Sequence, residues 1–511
     1  MAGSAGLVSL CSAATFPFPD LPGARLESVV ATPIYNFTDP SPGSPFAPPG
    51  VRVENATFCN VTVSYTHPGQ NDLINVRAFL PVASPVWNHR FQAVGGGGWS
   101  PGLDANSDLE MFLALAEGYA SITTDGGGNT PLPDSWALVS EGNVDLYQLQ
   151  NFASVTLRDE AVIGKSLIQS FYGEGPSYSY WYGCSQGGRQ GYMLAQRYPD
   201  LYDGISAAAP AIYLPAMLGS MYWSTVFINT YLDGIEPDRC ELDEVTARAI
   251  DFCDALDGFE DGLIADDEAC LKAFDPQSLV GSPFLCASTN QTATISQEAI
   301  TFAKAVWEGP RDTDGSFLWY GPSIGAPLAD STRDSGTSGL GAPWLQYFVE
   351  KSSTYDFSNL TLEEYQWQMH RGAAEFDSIV GTGDPDLREF QRQGKKLLTY
   401  HGMADELIPE KGTRHYYNAV KGITRDVDDF YRLFEIPGTS HCVGGTGGQP
   451  ATSVFDTLRK WVENGTVPDT LPITFTDSNG GSFERVVCPY PQKTLWDGVG
   501  DRDDPSSFYC A

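Results

Sequence analysis

The feature that most constrains the fold is a glycine-rich turn between a predicted strand and a predicted helix. Residues 177–182, SYSYWY, have the short aromatic pattern of a strand, and residues 189–197 have the periodicity of a helix. Between them, Gly183, Ser185 and Gly187 fit the pattern G-x-S-x-G, whose glycines allow the sharp turn that exposes a serine hydroxyl. The pattern alone is weak, and an ordinary strand-to-helix turn is the alternative. Because a strand precedes it and a helix follows it, we predict that Ser185 is a nucleophile.

Strand and helix patterns alternate on both sides of this turn, as they do in a parallel α/β sheet. Before residue 210 we predict strands at 74–80, 90–94, 120–125 and 204–210, and helices at 109–118 and 152–171. The chain then becomes acidic, aromatic and rich in turns. The alternation returns with strands at 395–400 and 430–436 and helices at 413–420 and 451–462. We therefore predict one α/β domain, formed by residues 1–212 and 386–511 and interrupted by an insertion at residues 213–385.

The charge of the chain excludes two classes of partner. The 511 residues include 64 acidic and 30 basic side chains, which give a formal net charge of −34. So acidic a surface repels phosphate groups, and we expect neither a nucleic acid nor an anionic membrane as partner. No apolar run in the sequence approaches the ~20 residues needed to span a bilayer.

The ten cysteines indicate an oxidising compartment. None forms the CxxC pair typical of zinc or redox sites, and an even number of scattered cysteines fits disulfides. Six N-glycosylation sequons agree with secretion; they begin at Asn36, Asn55, Asn60, Asn290, Asn359 and Asn464. The start, MAGSAGLVSLC, lacks the regions of a signal peptide, and we interpret it as a mature N-terminus with an added Met. We expect a secreted protein; a cytosolic protein with free thiols is the alternative.

A serine nucleophile needs a base and an acid, which in α/β-hydrolases follow the serine in the order acid, then histidine. His441 follows the last predicted strand in a Gly/Ser/Thr loop, where that base belongs. Asp405 follows the preceding sheet strand, and we predict that it orients the imidazole, with Glu406 in reserve. The other histidines are too early in the chain, in the insertion, at a strand end or at a helix start: His67, His89, His370, His401 and His415.

The same arrangement predicts which backbone groups stabilise the oxyanion and which two cysteines lie close together. Backbone N–H donors are expected from Gln186, directly after the serine, and from the glycine run at residues 95–98, with Gly97 as the central choice. If Ser185 and His441 are in contact, their neighbours Cys184 and Cys442 are close as well. A disulfide between these two cysteines is then geometrically possible.

These residues resemble the signature of the tannase and feruloyl esterase family, in which Cys-Ser, a distant Asp and His-Cys recur. The resemblance extends over nearly the whole chain and includes the segments 183–191, 198–205, 401–405 and 437–442. It implies an α/β-hydrolase fold in which the insertion is a large lid domain. It also implies a triad of Ser185, Asp405 and His441, a Cys184–Cys442 disulfide, and a secreted esterase for aromatic carboxylic esters. We expect no organic cofactor.

The insertion contains an acidic loop, CDALDGFEDGLI, at residues 253–264. Its spacing departs from the EF-hand, but carboxylates separated by glycine can bind a hard cation; an acidic, solvated turn is the alternative. The loop looks like the structural calcium site of the family, which implies carboxylates from Asp254, Asp257 and Asp261 and carbonyl oxygens from Phe259 and Leu263. The resemblance also implies the disulfides Cys253–Cys270, Cys11–Cys59 and Cys488–Cys510, which leaves Cys240 with Cys286.

The leading hypothesis for function is release of ferulic or related hydroxycinnamic acids from phenolic or cell-wall esters. A tannase that cleaves galloyl esters is the first alternative. A glycan-binding protein on an inactive hydrolase scaffold is a second, which the complete triad disfavours, and a peptidase or acyltransferase is a third, which the family signature disfavours. We expect some aromatic residues of the insertion to line the acyl pocket: Tyr222, Trp223, Phe227, Trp344, Tyr347, Phe348, Tyr365 and Trp367.

Overall fold

A sheet of nine strands organises the fold of the computed structural model, which describes residues 4–39, 51–128, 130–333, 336–476 and 482–511. In chain order the strands are β1 (Arg25–Phe37), β2 (Ala56–Thr66), β3 (Ile74–Ala83), β4 (Arg90–Val94), β5 (Ala120–Thr124), β6 (Tyr178–Cys184), β7 (Gly204–Ala208), β8 (Lys396–Gly402) and β9 (Tyr431–Ile436). Their order across the sheet is β1-β2-β3-β5-β4-β6-β7-β8-β9. The first three strands and β5 pair antiparallel, and β5, β4 and β6 to β9 pair in parallel.

Burial follows this change in pairing. In β2 buried residues largely alternate with half-buried ones, as expected of an antiparallel strand with one covered face. Every residue of β5 and β7 is buried, as expected of parallel strands with helices on both faces. The edge strand β1 has no buried residue among Arg25–Phe37. The apolar core therefore covers both faces of the parallel strands and extends under β2 and β3 of the antiparallel half.

Fifteen α-helices are described. They are α1 (Ser4–Leu10), α2 (Ala105–Ala116), α3 (Leu146–Gln150), α4 (Thr156–Tyr172), α5 (Gln186–Arg197), α6 (Leu214–Ser220), α7 (Trp223–Tyr231), α8 (Arg239–Cys253), α9 (Asp267–Ala273), α10 (Gln297–Glu308), α11 (Gly336–Pro343), α12 (Leu362–Val380), α13 (Arg388–Arg392), α14 (Glu410–Ile423) and α15 (Ala451–Asn464). In the described residues, no helix has the length and apolar character needed to cross a membrane.

Shorter elements complete the chain. Short strands pair outside the main sheet at Leu138–Ser140 with Asn143–Val144, Pro283–Cys286 with Gln291–Thr294, Leu471–Thr476 with Ser482–Val487, and Thr494–Trp496 with Phe508–Cys510. Single turns of 3₁₀ helix lie at Ala13–Thr15, Pro133–Ser135, Asp254–Asp257, Pro276–Leu279, Leu328–Ser331, Phe357–Asn359, Val427–Asp429 and Pro505–Ser507, and π-helical turns at Asn151–Val155 and Trp344–Val349.

Between β7 and β8 the described chain adds no strand to the nine-stranded sheet. This segment contains α6 to α13, and most of its buried apolar side chains belong to a core cluster of their own, which also takes in Trp99, Trp136 and Phe152 from the part of the chain before β6. The α/β class therefore agrees with the sequence analysis. We keep residues 213–385 as the proposed bounds of the inserted domain.

Candidate active site

Ser185 occupies a turn that is tighter than the sequence pattern predicted. Strand β6 continues to Cys184 and helix α5 begins at Gln186, so that a single residue makes the turn. Ser185 has φ of 62° and ψ of −118°, a conformation that strains a residue with a side chain. The turn closes because Gly183 has no side chain: a Cβ there would lie 2.6 Å from the carbonyl carbon of Gly187. This geometry is that of a nucleophile elbow.

The glycine run after β4 packs directly against this elbow. A Cβ on Gly95 would lie 2.6 Å from the Cα atom of Gly187, so only glycine permits this approach. The side chain of Gln190 joins helix α5 to this glycine-rich loop, because its Oε1 accepts from Gly96 N at 3.1 Å and its Nε2 donates to the carbonyl of Pro101 at 2.9 Å. No local pattern in the sequence marks Gln190 as a residue of the site.

The predicted oxyanion donors, Gln186 and the glycine run, both lie beside Ser185. Gln186 is the first residue of α5, and N–H groups in the first turn of a helix have no acceptor within the helix. Within the glycine run, Gly98 rather than Gly97 lines the cavity beside Ser185. The carbonyl of Gly97 accepts from the backbone N–H of Ser100 at 3.0 Å.

Asp405 and His441 come together behind the cavity. Asp405 follows β8, His441 follows β9, and His441 Nδ1 lies 2.8 Å from Asp405 Oδ2. Burial alone would lower the pKa of His441, but the charges of Asp405 and Glu406 outweigh it and raise this pKa above its ordinary value. Glu406, the reserve candidate, contacts the backbone instead, since its Oε2 accepts from His441 N at 3.2 Å. The imidazole is therefore paired with Asp405.

A second imidazole shares the carboxylate of Asp405. His401 Nε2 lies 3.0 Å from Asp405 Oδ2, and the side chain of His401 is fully buried. The sequence alone places His401 at the end of a strand and gives it no role. The signal that could have identified it is its place four residues before Asp405, on the same strand end.

The remaining histidines have other partners. His67 is buried between Asp72 and Asp159, at 2.7 and 3.1 Å from their carboxylate oxygens. His370 is exposed and pairs with Asp312. Of the six histidines, His441 lines the cavity that also contains Ser185.

A disulfide joins the two halves of the site. Cys184 and Cys442 are bonded, with their Cα atoms 6.0 Å apart across a sequence separation of 258 residues. Ser185 and His441 are the direct chain neighbours of these cysteines, so the bond limits how far the elbow and the histidine loop can separate. The structure also contains the four other expected bonds: Cys11–Cys59, Cys240–Cys286, Cys253–Cys270 and Cys488–Cys510.

The cavity at Ser185 has a largely apolar wall. Its lining comprises Gly98, Trp99, Phe152, Ser185, Gln186, Ala211, Leu214, Met217, Leu218, Met221, Leu340, Leu407, Ile408 and His441. Neither of its aromatic rings, Trp99 and Phe152, comes from the insertion. The expectation about the aromatic residues of the insertion is wrong for this cavity, because the insertion contributes aliphatic and methionine side chains from α6, Met221 and α11. Rings such as Trp344 and Phe348 pack instead in the core behind Trp99.

A buried arginine, which the sequence analysis also missed, supports this wall. Arg189 Nε donates to Gln186 Oε1 at 2.7 Å, and its terminal nitrogens donate to the carbonyls of Phe152 and Ala153 at 3.1 Å. Its guanidinium also lies over the Phe152 ring. Burial, with the charge of Arg197, lowers the pKa of Arg189 to about 9. Arg189 thereby fixes two residues of the cavity, Gln186 and Phe152.

None of the five proposed ligand residues in the acidic loop of the insertion lines this cavity. Asp254 Oδ1 accepts from the backbone N–H of Asp261 at 2.8 Å, and Asp257 Oδ1 accepts from that of Phe259 at 2.9 Å. Burial raises the pKa of Asp257 to about 6; the charges of Asp261 and Asp254 add to this effect, and the hydrogen bond from Phe259 opposes it. Asp261 also contacts the guanidinium of Arg485. In the part of the chain that is described, no group of three or more His, Cys, Asp or Glu side chains is arranged to hold a metal ion.

Comparison with known proteins places this geometry in a family. The family described as "Tannase and feruloyl esterase" matches residues 59–511. A probable feruloyl esterase of Arthroderma benhamiae is 38% identical, over 96% of this chain and 92% of that protein. A tannase of Aspergillus oryzae is 28% identical, over 89% of this chain and 84% of that protein. The solved structure of a tannin acyl hydrolase from Aspergillus niger superposes with a TM-score of 0.87 at 29% identity, covering 100% of this chain and 96% of that one. The chain therefore belongs to the tannase and feruloyl esterase family and is an esterase with an α/β-hydrolase fold.

Proposed function

We propose that this esterase releases hydroxycinnamic acids of the feruloyl type from phenolic or cell-wall esters by a serine acyl-enzyme mechanism. The observation that carries the proposal is one cavity whose wall contains Ser185 at a strained elbow and His441 paired with Asp405. A relative with 38% identity is described as a probable feruloyl esterase, which supports the substrate class.

In the proposed mechanism, Ser185 Oγ attacks the ester carbonyl while His441 Nε2 takes the hydroxyl proton. Asp405 accepts from Nδ1–H of His441, fixes the tautomer and stabilises the charged imidazole. The proton then passes to the leaving alcohol, and water releases the acid from the acyl-enzyme by the same steps in reverse order. The N–H of Gln186 and one from the glycine run stabilise the oxyanion; we propose Gly97 for the latter, with Gly98 as the alternative because it lines the cavity.

The wall of the cavity favours a feruloyl over a galloyl group. Its polar side-chain groups are those of Ser185, Gln186 and His441 and the indole N–H of Trp99, and Ser185 and His441 act in the proposed chemistry. A galloyl ring has several hydroxyl groups that lose their water on binding and then need partners, whereas a feruloyl ring has fewer. Tannase activity is the second candidate, since the tannin acyl hydrolase superposes along the whole chain.

A rate panel tests this proposal. We expect kcat/KM for methyl ferulate and chlorogenic acid to exceed that for methyl gallate and tannic acid by about tenfold or more, because each unpaired polar group in an apolar pocket costs binding in the transition state. A burst of nitrophenol from an aryl ester tests for the acyl-enzyme and for esterase activity as such. The reverse order of rates would favour tannase, and no turnover of any ester would contradict the proposed function.

We also propose secretion and a structural Ca²⁺ in the acidic loop. Five disulfides and six sequons support an oxidising, extracellular setting. For Ca²⁺, the donors fit in kind, since Asp254, Asp257 and Asp261 supply carboxylates and Phe259 and Leu263 supply carbonyl oxygens, as hard cations prefer. As placed, the carboxylates bond to their own loop and to Arg485 rather than converging on one point. The proposal therefore rests on the donor set and the family resemblance.

Removal of Ca²⁺ is expected to lower the thermal stability of the protein. Excess EGTA should reduce Tm by at least about 2 °C, because a cation that binds only the folded state stabilises it by mass action. Added Ca²⁺ should restore Tm, and Mg²⁺ should not. Asp257→Asn is the matched control, since its Tm should respond little to either reagent. An identical wild-type Tm with and without EGTA would refute the calcium site.

A further inference from the structure

His401 lies at the centre of a network that the proposed triad does not include. It is in β8, four residues before Asp405, and its side chain is fully buried. Its Nδ1 is 2.9 Å from Oγ1 of Thr413 in α14. Its Nε2 is 3.0 Å from Asp405 Oδ2 and 3.0 Å from the carbonyl oxygen of Ile408. Every nitrogen of the ring therefore has a partner from the loop or the helix that follows β8.

The partners determine where the proton of His401 resides. A backbone carbonyl can only accept a hydrogen bond, and an ionised carboxylate can only accept. Burial would raise the pKa of Asp405, but the charge of His441 and the hydrogen bonds from both imidazoles hold this pKa well below its usual range, so Asp405 is ionised. Nε2 of His401 therefore carries a proton and donates it to Asp405 Oδ2 and the Ile408 carbonyl.

Both oxygens of Asp405 are occupied in a fixed pattern. Oδ1 accepts from the backbone N–H groups of Leu407 and Ile408 at 2.9 and 2.8 Å. Oδ2 accepts from His401 on one side and from His441 Nδ1 on the other. His401 and the proposed base, His441, thus donate to the same oxygen, Asp405 Oδ2.

We propose that His401 is a positioning residue for the proposed hydrolysis, whose Nε2–H fixes the orientation of Asp405 Oδ2 toward His441 and withdraws part of its negative charge. The inference rests on the proposed function, since it acts only through the Ser185–His441–Asp405 set. The orientation keeps His441 in line with Ser185. The shared charge limits how strongly Asp405 holds the proton on His441.

The withdrawal of charge from Asp405 by His401 predicts in which direction the pH profile shifts when His401 is replaced. The ionisable side chains that raise the pKa of His441 are Asp405 and Glu406. When the donor on Asp405 Oδ2 is removed, the full carboxylate charge acts on His441, so its protonated form is stabilised and its pKa rises. Because protonated His441 cannot accept the proton of Ser185, the acid limb of kcat/KM should move to higher pH.

The decisive comparison is between His401→Gln and His401→Leu, measured as pH profiles of kcat and kcat/KM on methyl ferulate. Gln retains an N–H donor near the position of Nε2, and Leu fills the buried volume without one. His401→Leu is expected to lose about 10- to 100-fold in kcat, the effect of a lost hydrogen bond to a charged group, and to shift the acid limb upward. His401→Gln should keep the acid limb of the wild type. A merely structural role would change Tm and not this limb.

The inference is overturned if folded His401→Leu keeps the acid limb and kcat of the wild type, or if Gln and Leu are impaired alike with the limb unmoved. If His401→Leu does not fold, His401→Asn is used instead, because the shorter amide does not reach Asp405. An acid limb of His401→Asn equal to that of His401→Gln would then overturn the inference. Wild-type turnover of methyl ferulate, and its loss in Ser185→Ala, are measured alongside. Failure there concerns the proposed function, whereas failure in the His401 series alone concerns only this inference.

Discussion

Substitution Ser185→Ala is expected to lower kcat for methyl ferulate by about 10⁴-fold or more while the protein remains folded. Without Oγ there is no nucleophile for the acyl-enzyme, and the residual rate can come only from the oxyanion donors and from binding. Alanine takes up less space at the elbow, and the strained backbone of Ser185 is unchanged in kind. Tm should therefore stay the same or rise, as it does when strained functional groups are removed. The measurements are initial rates, the nitrophenol burst and a thermal melt.

A matched control for the loss of a hydroxyl near the cavity is Ser220→Ala. Ser220 Oγ donates to the carbonyl of Met217 within α6, whose side chains line the same cavity. This variant should hydrolyse methyl ferulate within about threefold of the wild-type rate, since Ser220 does not line the cavity and its hydroxyl bonds within its own helix. A Ser185→Ala preparation that still produces a burst, or that retains a tenth of the wild-type rate, would contradict the assignment of the nucleophile.

The residues of the site that could be predicted from the sequence are those that lie in a recognisable local pattern. The elbow at Ser185 depends on glycine spacing between a strand and a helix, and both are visible along the chain. Asp405 and His441 follow strands whose apolar runs identify them as buried. The expected order of elements placed the acid after the first of these strands, where Asp405 is preferred and Glu406 is the reserve, and the structure pairs the ring of His441 with Asp405.

What the sequence did not provide depends on three-dimensional neighbours. Arg189 and Gln190 are ordinary polar residues of a helix, and their partners, Phe152 and Gly96, are 37 and 94 residues away along the chain. Edge strand β1 has no buried residue and alternates half-buried with exposed residues only in its middle, so the apolar periodicity by which a strand is recognised is weak there. The expectation that some aromatic residues of the insertion line the pocket is wrong for this cavity, because composition reveals which rings exist and not which way they face.

Removal of the disulfide beside the site is the second prediction with a large effect. The double variant Cys184→Ala, Cys442→Ala is expected to lose about 2–5 kcal/mol of unfolding free energy, because this bond closes a loop of 258 residues in the unfolded chain. Its kcat should also fall about 100-fold, since a displacement of about 1 Å between Ser185 and His441 is enough to slow proton transfer by that factor. Tm and kcat are measured at a temperature where the variant is folded. Limited reductant should lower wild-type kcat before it changes the circular dichroism spectrum.

The double variant Cys488→Ala, Cys510→Ala separates the two effects. This bond closes a loop of 22 residues and joins segments that do not line the Ser185 cavity, so its loss should lower Tm and leave kcat within about twofold of wild type. If both double variants lose stability and only the Cys184, Cys442 variant loses kcat, the bond beside the elbow fixes the distance between nucleophile and base. Equal kcat values in the two variants would mean that packing of the elbow against Gly95 and pairing of His441 with Asp405 maintain that distance alone, and that the disulfide acts only on stability.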